Sequence, residues 1–201
     1  QPAPYQPTTK TVTRRRFQAT HRHFLSGSKI CFSSPMKVLL PKIPVGLKTT
    51  ISTQGSLKPS AQFERVIIRG IEAINIVAQK MKFDEAALDR TVLINGACDE
   101  ITMIDTEVRG CDVSAAVMTS GTFTRVRFTH CRMAGTDFSR CALKNVTFED
   151  CKLDMTNFRF AKLNTVIFEN CTFVESDFQL GELSNVVFKN CRIEQTNFVQ
   201  C

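Results

Sequence analysis

The chain has 201 residues, of which 43% are hydrophobic and 22% charged, and carries a formal net charge of +7. That is enough apolar material for a packed core in one or two domains. No apolar run approaches the roughly 20 residues a bilayer-spanning helix needs, so a helical membrane span is excluded.

The charge is unevenly placed, and its distribution divides the chain near residue 60. Residues 1–63 contain no Asp or Glu but ten bases: Lys10, Arg14, Arg15, Arg16, Arg22, Lys29, Lys37, Lys42, Lys48 and Lys58. All seven prolines, from Pro2 to Pro59, lie there too. Residues 64–201 hold 16 bases against 19 acids, a net of −3. We read residues 1–60 as a basic, proline-containing extended arm and 61–201 as a folded body. The arm has no sustained hydrophobic period and buries too little apolar surface to offset chain entropy by itself. Its candidate partner-binding residues are Arg14, Arg15, Arg16, Arg22, Lys29, Lys37 and Lys42. Arg14–Arg16 precede Phe17, and His21-Arg22-His23 precede Phe24. This interleaving of bases and aromatics suits nucleic acid; acidic protein or anionic lipid attracts the same charge. An Arg-, Ser- and Thr-rich segment without acids also has the composition of an organelle transit peptide.

Residues 61–85, AQFERVIIRGIEAINIVAQKMKFDE, fit two patterns. They can form an amphipathic helix, or they can be read in fives centred on Phe63, Ile68, Ala73, Ala78 and Phe83. The Ile and Val content favours strand, and Gly70 sits where a corner of a five-residue frame falls. This stretch is a degenerate first coil or a cap.

From Leu88 onward the five-residue frame is plain, with centres at Leu93, Cys98, Met103, Val108, Val113, Met118, Phe123 and Phe128. Residues 131–201 fall into lines of twenty whose columns agree: CRMAGTDFSRCALKNVTFED, CKLDMTNFRFAKLNTVIFEN, CTFVESDFQLGELSNVVFKN and CRIEQTNFVQC. Each five carries a large apolar residue at its centre and a small or β-branched one two places earlier. A period of five fits neither the 3.6 of a helix nor the 2 of a simple strand. A fixed repeat marks a solenoid, in which one unit cannot bury its own inward face and stacking makes the core.

TDFSR, TNFRF, SDFQL and TNFVQ are similar to the A-(D/N)-L-x-x unit of the pentapeptide-repeat family; CALKN, AKLNT and GELSN match it at the small and central positions only. The resemblance implies an all-β fold: a right-handed, four-sided parallel β-helix with one five per side. From Phe63 to Phe198 there are 28 fives, or seven coils, about 34 Å of stacked strands at ~4.8 Å each. Residues twenty apart then form ladders. Cys111, Cys131, Cys151, Cys171 and Cys191 make one, Phe138, Phe158, Phe178 and Phe198 another, and Thr136, Thr156, Ser176 and Thr196 a third. Asp137, Asn157, Asp177 and Asn197 precede their Phe, where a short carboxylate or amide can bond local backbone.

The five column cysteines, with Cys141 and Cys201 in the same inward position on another column, therefore read as small buried hydrophobes, and so many free thiols point to a reducing compartment, the cytoplasm or the interior of a plastid or mitochondrion. Zinc is not expected, because no CxxC or CxH spacing occurs and ligands along one wall cannot surround a metal. Cys31, in the arm, is the thiol expected to react if exposed. There is no nucleophile–base pair, glycine-rich phosphate loop or HExxH, and His130 falls at a corner as a solvated turn residue. We expect no enzyme activity, metal or cofactor. The first functional expectation is a structural or interaction protein, a rigid platform anchored by its arm among the protein subunits of a larger, possibly organellar assembly. The second is a nucleic-acid-binding accessory protein. The third, implied by the resemblance alone, is mimicry of duplex DNA against a type II topoisomerase such as gyrase. Duplex DNA carries one charge per about 1.7 Å, whereas residues 121–201 hold ten bases and nine acids. The sequence stops in mid-coil at Cys201, so a partner, a second copy or a further segment is expected over the last ladder.

Overall fold

The computed structural model describes residues 37–50 and 54–201. The expected four-sided parallel β-helix is what these residues form. The strands are β1 (Lys48–Thr50), β2 (Gln62–Glu64), β3 (Val66–Arg69), β4 (Glu72–Ile74), β5 (Lys82–Asp84), β6 (Ala87–Asp89), β7 (Val92–Ile94), β8 (Thr102–Arg109), β9 (Thr122–Thr129), β10 (Ala142–Glu149), β11 (Lys162–Glu169), β12 (Thr172–Val174), β13 (Glu182–Lys189) and β14 (Arg192–Glu194). A 3₁₀ turn covers Gln54–Ser56. β8, β9, β10, β11 and β13 follow one another in one parallel sheet, and each residue pairs with the one twenty further on, as Phe148 does with Phe168. The stretch 61–85 resolves as coil of the same β-helix: β2 pairs with β5, β3 with β6 and β4 with β7, again in steps of twenty.

The frame closes into four sides because every fifth residue turns the chain. Each position divisible by five from Ser60 to Gln200 has positive φ, and 26 of these are not glycine. In the sides that end at Gly135 and Arg140, Thr136 N donates to Met133 O at 3.1 Å and Cys141 N to Phe138 O at 3.1 Å. A hydrogen bond closing four residues with positive φ only at the third is a type II turn. Between turns, the centre and the residue two before it face inward. Phe138, Cys141, Leu143, Val146, Phe148, Cys151, Leu153 and Phe158 are all buried.

Two phenylalanine stacks oppose each other across the core. Phe128, Phe148, Phe168 and Phe188 stack at 4.8, 4.8 and 5.0 Å between ring centroids. Phe138, Phe158, Phe178 and Phe198 stack at 5.0, 4.7 and 4.9 Å. Between the stacks the rings meet edge to face, as Phe158 and Phe168 do at 6.2 Å and 76°. Offset and edge-on packing are the arrangements the ring quadrupole favours.

The inward position two before each centre must be small and also meets a carbonyl of the coil below. Cys131 Sγ donates to Val108 O at 3.4 Å, Cys141 Sγ to Met118 O at 2.9 Å, Cys171 Sγ to Phe148 O at 3.5 Å and Thr136 Oγ1 to Val113 O at 2.9 Å. A small side chain with one short donor answers both demands, which accounts for Cys, Thr and Ser in these columns. The short polar residues before each Phe bond local backbone as anticipated: Asp137 accepts from Ser139 N at 2.8 Å, Asn157 from Arg159 N at 3.0 Å, Asp177 from Gln179 N at 2.8 Å and Asn197 from Val199 N at 3.0 Å.

Candidate functional site: a strapped wall

The boundary near residue 60 divides the charge, but the contacts of the body begin earlier. Leu57 is buried in the core cluster, and β1 runs parallel to β3 with Lys48 opposite Val66. Ahead of β1, residues 37–47 cross the outside of the β-helix. The backbone N–H of Lys42 donates to Asp105 Oδ1 at 3.0 Å, and that of Leu39 donates to Asn145 Oδ1 at 3.4 Å. Asp105 and Asn145 lie on one corner, two coils apart. The segment therefore travels along the solenoid axis, from later coils toward earlier ones, and we call it the strap.

Asp105 is built to hold it. Arg125, one coil on, donates from Nε to Oδ1 at 2.7 Å and from the guanidinium NH2 to Oδ2 at 2.6 Å. This paired donation, opposed by burial and reinforced by the Lys42 N–H, holds the Asp105 carboxyl below its ordinary range. The wall that starts at this corner is covered. Its outward-facing residues Ile67, Ala87 and Thr147 are 4%, 1% and 5% exposed, whereas outward Val77, on another wall, is 60% exposed. Arg127 Nε and Thr147 Oγ1, neighbours in register on the covered wall, are buried without a hydrogen-bond partner among the described residues.

Of the candidate arm residues, Lys37 and Lys42 are on the strap with exposed side chains. Arg14, Arg15, Arg16, Arg22 and Lys29 lie outside the described residues, as does Cys31. The strap also exposes Leu39, Leu40 and Val45. Its anchors Asp105, Arg125 and Asn145 were not among the sequence candidates. They occupy corner positions, where a polar residue is unremarkable, and only the position of the strap distinguishes them.

The charges of the body are largely spent on one another. Asp89, buried, is met by Arg69 at 2.9 Å, Arg109 at 3.5 Å and Arg90 at 3.5 Å. Arg127 meets Glu149 at 2.8 Å, Arg159 meets Asp177 at 3.1 Å, Lys162 meets Glu182 at 2.8 Å, and Lys189 meets Glu169. A separate feature on another edge is Phe160, exposed at a corner, with the guanidiniums of Arg140 and Arg159 5.8 and 5.7 Å from its ring centre.

The described cysteines are mostly enclosed. Cys111, Cys131, Cys151 and Cys171 are buried and free, and Cys191 is half-buried. Burial pushes Cys98 up to about 11 and Cys141 up to about 12. In the column, the adjoining thiol and burial raise Cys111, Cys151 and Cys191. S–H donation from neighbours alone would lower Cys131 and Cys171. However, each of those sulfurs also faces two backbone carbonyl oxygens, which would repel a thiolate, so we read the column as neutral thiols. His130 is exposed at its corner with φ 54°, 3.6 Å from exposed Asp150. Among the described residues there is no group of three or more His, Cys, Asp or Glu placed to hold a metal, and no helix long and apolar enough to cross a membrane.

The match to a family model agrees with this architecture. Residues 121–198 match the family model described as the pentapeptide repeat region. No curated protein matches the chain. Among solved structures, the chain is similar to a trypsin-treated form of QnrB1, described as a plasmid-mediated fluoroquinolone resistance protein: 14% identity over 74% of this chain and 81% of that one, with a TM-score of 0.33. It is similar to the pentapeptide repeat protein Rfr23 from the cyanobacterium Cyanothece, at 12% identity over 51% of this chain and 63% of that one, with a TM-score of 0.29. A third is HetL from the cyanobacterium Nostoc, described as involved in heterocyst differentiation regulation, at 13% identity over 67% and 75%, with a TM-score of 0.24. With the five-residue frame, the four-sided coil and the matched region in agreement, residues 121–198 form a pentapeptide repeat region.

Proposed function

We propose that the protein is a non-catalytic interaction protein: a rigid β-helical platform that its basic arm anchors among the protein subunits of a larger assembly. One observation carries this reading. Ten bases and no acids precede Glu64, while the body that follows is near neutrality and pairs its own charges between coils. Charge free to attract a polyanionic or acidic surface is thus concentrated in the arm. The body supplies stiffness: its core is stacked coil on coil, and many of its surface charges pair with one another. We place it in a reducing compartment, the cytoplasm or an organelle interior, on the strength of its free, buried cysteines. DNA mimicry is disfavoured by the same arithmetic, since the matched region lacks the dense negative surface that mimicry requires.

The test is charge reversal in the arm. The triple variant Arg14→Glu, Arg15→Glu, Arg16→Glu should fold as the parent does and lose at least tenfold in association with the native assembly, measured by fractionating source-cell extract. Sensitivity to added salt should fall in the same variant, because fewer counterions are exchanged on binding. Unchanged association at every salt concentration sinks the proposal. If binding instead vanishes on nuclease treatment of the extract, the nucleic-acid reading replaces the protein-assembly one.

A further inference from the structure

One corner carries Arg140, Phe160 and Leu180 in successive coils, at φ 59°, 59° and 61°. A bulky side chain is disfavoured in that conformation. Neither Phe160 nor Leu180 offsets this by entering the core, since they are 43% and 37% exposed. Val199, next to the following corner at Gln200, is 55% exposed. Single exposed apolar side chains are ordinary, but a run of them along one edge marks a contact surface.

Charge is free at the same edge. The guanidiniums of Arg140 and Arg159 lie 5.8 and 5.7 Å from the Phe160 ring centre. Arg159 is met by Asp177 at 3.1 Å, Lys162 on the adjoining wall by Glu182 at 2.8 Å, and Asp137 accepts the N–H of Ser139. Among the described residues Arg140 has no carboxylate within ion-pair distance. Ser139, Arg140, Asn157, Arg159 and Phe160 line an open pocket of about 180 Å³. That is below the roughly 300 Å³ at which small-molecule sites begin, and it suits one side chain of a larger partner.

We propose that this corner docks an acidic segment of a protein partner, with a carboxylate on Arg140 and an apolar side chain against Phe160, Leu180 and Val199. A guanidinium beside an aromatic ring keeps its N–H fork for paired donation to a carboxylate. Arg and aromatic residues are also the types enriched in the cores of protein interfaces. Nucleic acid fits less well. A phosphate backbone needs a track of cations, and here one unpaired guanidinium is followed in the next coil by Asp177 and Glu182. The proposal rests on the interaction-protein reading and adds a contact made by the body rather than by the arm.

Peptide binding to the full chain tests it. The probes are short photo-reactive peptides that combine Asp or Glu with Phe or Leu, each beside a counterpart with Asn or Gln in place of the acids. The acidic peptides should bind on the order of tenfold more tightly than their counterparts, and should cross-link within residues 136–200, mapped by mass spectrometry. Arg140→Asn and Phe160→Asn suit the left-handed corner, so each should keep a cooperative urea transition and weaken binding on the order of tenfold. Lys152→Asn, which removes an exposed base on another wall, should leave binding unchanged. Equal losses from all three variants, or no preference for acids, would overturn the proposal. Tighter, Arg140-dependent binding of a single-stranded oligonucleotide would overturn it in favour of nucleic acid. The variant Arg14→Glu, Arg15→Glu, Arg16→Glu should bind the peptides as the parent does, so that a failure of the corner is distinct from a failure of the arm. Cross-links confined to residues 1–60, or binding lost in that variant, would place the peptides on the arm and also overturn the proposal.

Discussion

At the scale of single residues the fold makes an unusual demand, placing side chains with a Cβ at left-handed corners throughout the solenoid. Thr165, with φ 61°, is β-branched and suffers most there; Asn tolerates the conformation and stands at six other corners of this chain. Thr165→Asn should therefore raise stability by roughly 0.5–1 kcal/mol, read as a higher urea midpoint with unchanged slope. A lower midpoint would show that the hydrogen bond from Thr165 Oγ1 to Asn164 outweighs backbone strain. Truncation of the core works in the opposite direction. Phe158 is fully buried, stacked on two rings and edge-on to a third, so Phe158→Ala should cost about 3–5 kcal/mol. A loss below about 1 kcal/mol would place Phe158 outside a packed core. The thiols give a chemical reading of the same geometry. Cys131, Cys151 and Cys171 should resist alkylation until denaturant is added, while half-buried Cys191 and Cys201 label sooner; rapid labelling of all five contradicts the inward column.

Among the elements, the coils were legible in the sequence and the strap was not, for different physical reasons. A coil announces itself because each inward residue must be apolar or small and the next inward residue is two or three places away, which leaves a five-residue signal. The signal weakens at 61–85 because outward positions there are apolar too, as with Ile67, Ile74 and Val77, and a helix pattern fits the same letters. The strap leaves no period. Its recognition groups are backbone N–H donors, identical in every residue but proline, and their acceptors are corner side chains 63 and 106 residues away. Asp105 is where the strap can be addressed by pH. Its carboxyl is held below the ordinary range by Arg125, so its contribution is present in full above the unfolded value near 3.9 and is lost as pH falls through the lower folded value. Asp105→Ala should cost about 1.5–3 kcal/mol at neutral pH, the range for hydrogen bonds to a charged group, and should abolish that acid-limb dependence. An unaltered acid limb would mean that another carboxylate sets it.

At the scale of the whole molecule, the arrangement separates stiffness from attraction. The body is a stack of mutually paired strands, rings and charges, and the sequence places ten bases and no acids ahead of Glu64. This sets where the two parts can be divided. Removing residues 1–60 would also remove β1, Leu57 and the strap and uncover a buried wall, so the arm is better tested by removing residues 1–36 alone. The most direct measurement compares the full chain with residues 37–201 for incorporation into the native assembly, with stability measured in parallel. The account predicts that residues 37–201, which keep β1, Leu57 and both strap hydrogen bonds, unfold within about 1–2 kcal/mol of the full chain, yet lose at least nine-tenths of their incorporation. Full incorporation by a folded, stable 37–201 chain would contradict it, because the platform would then bind without its arm.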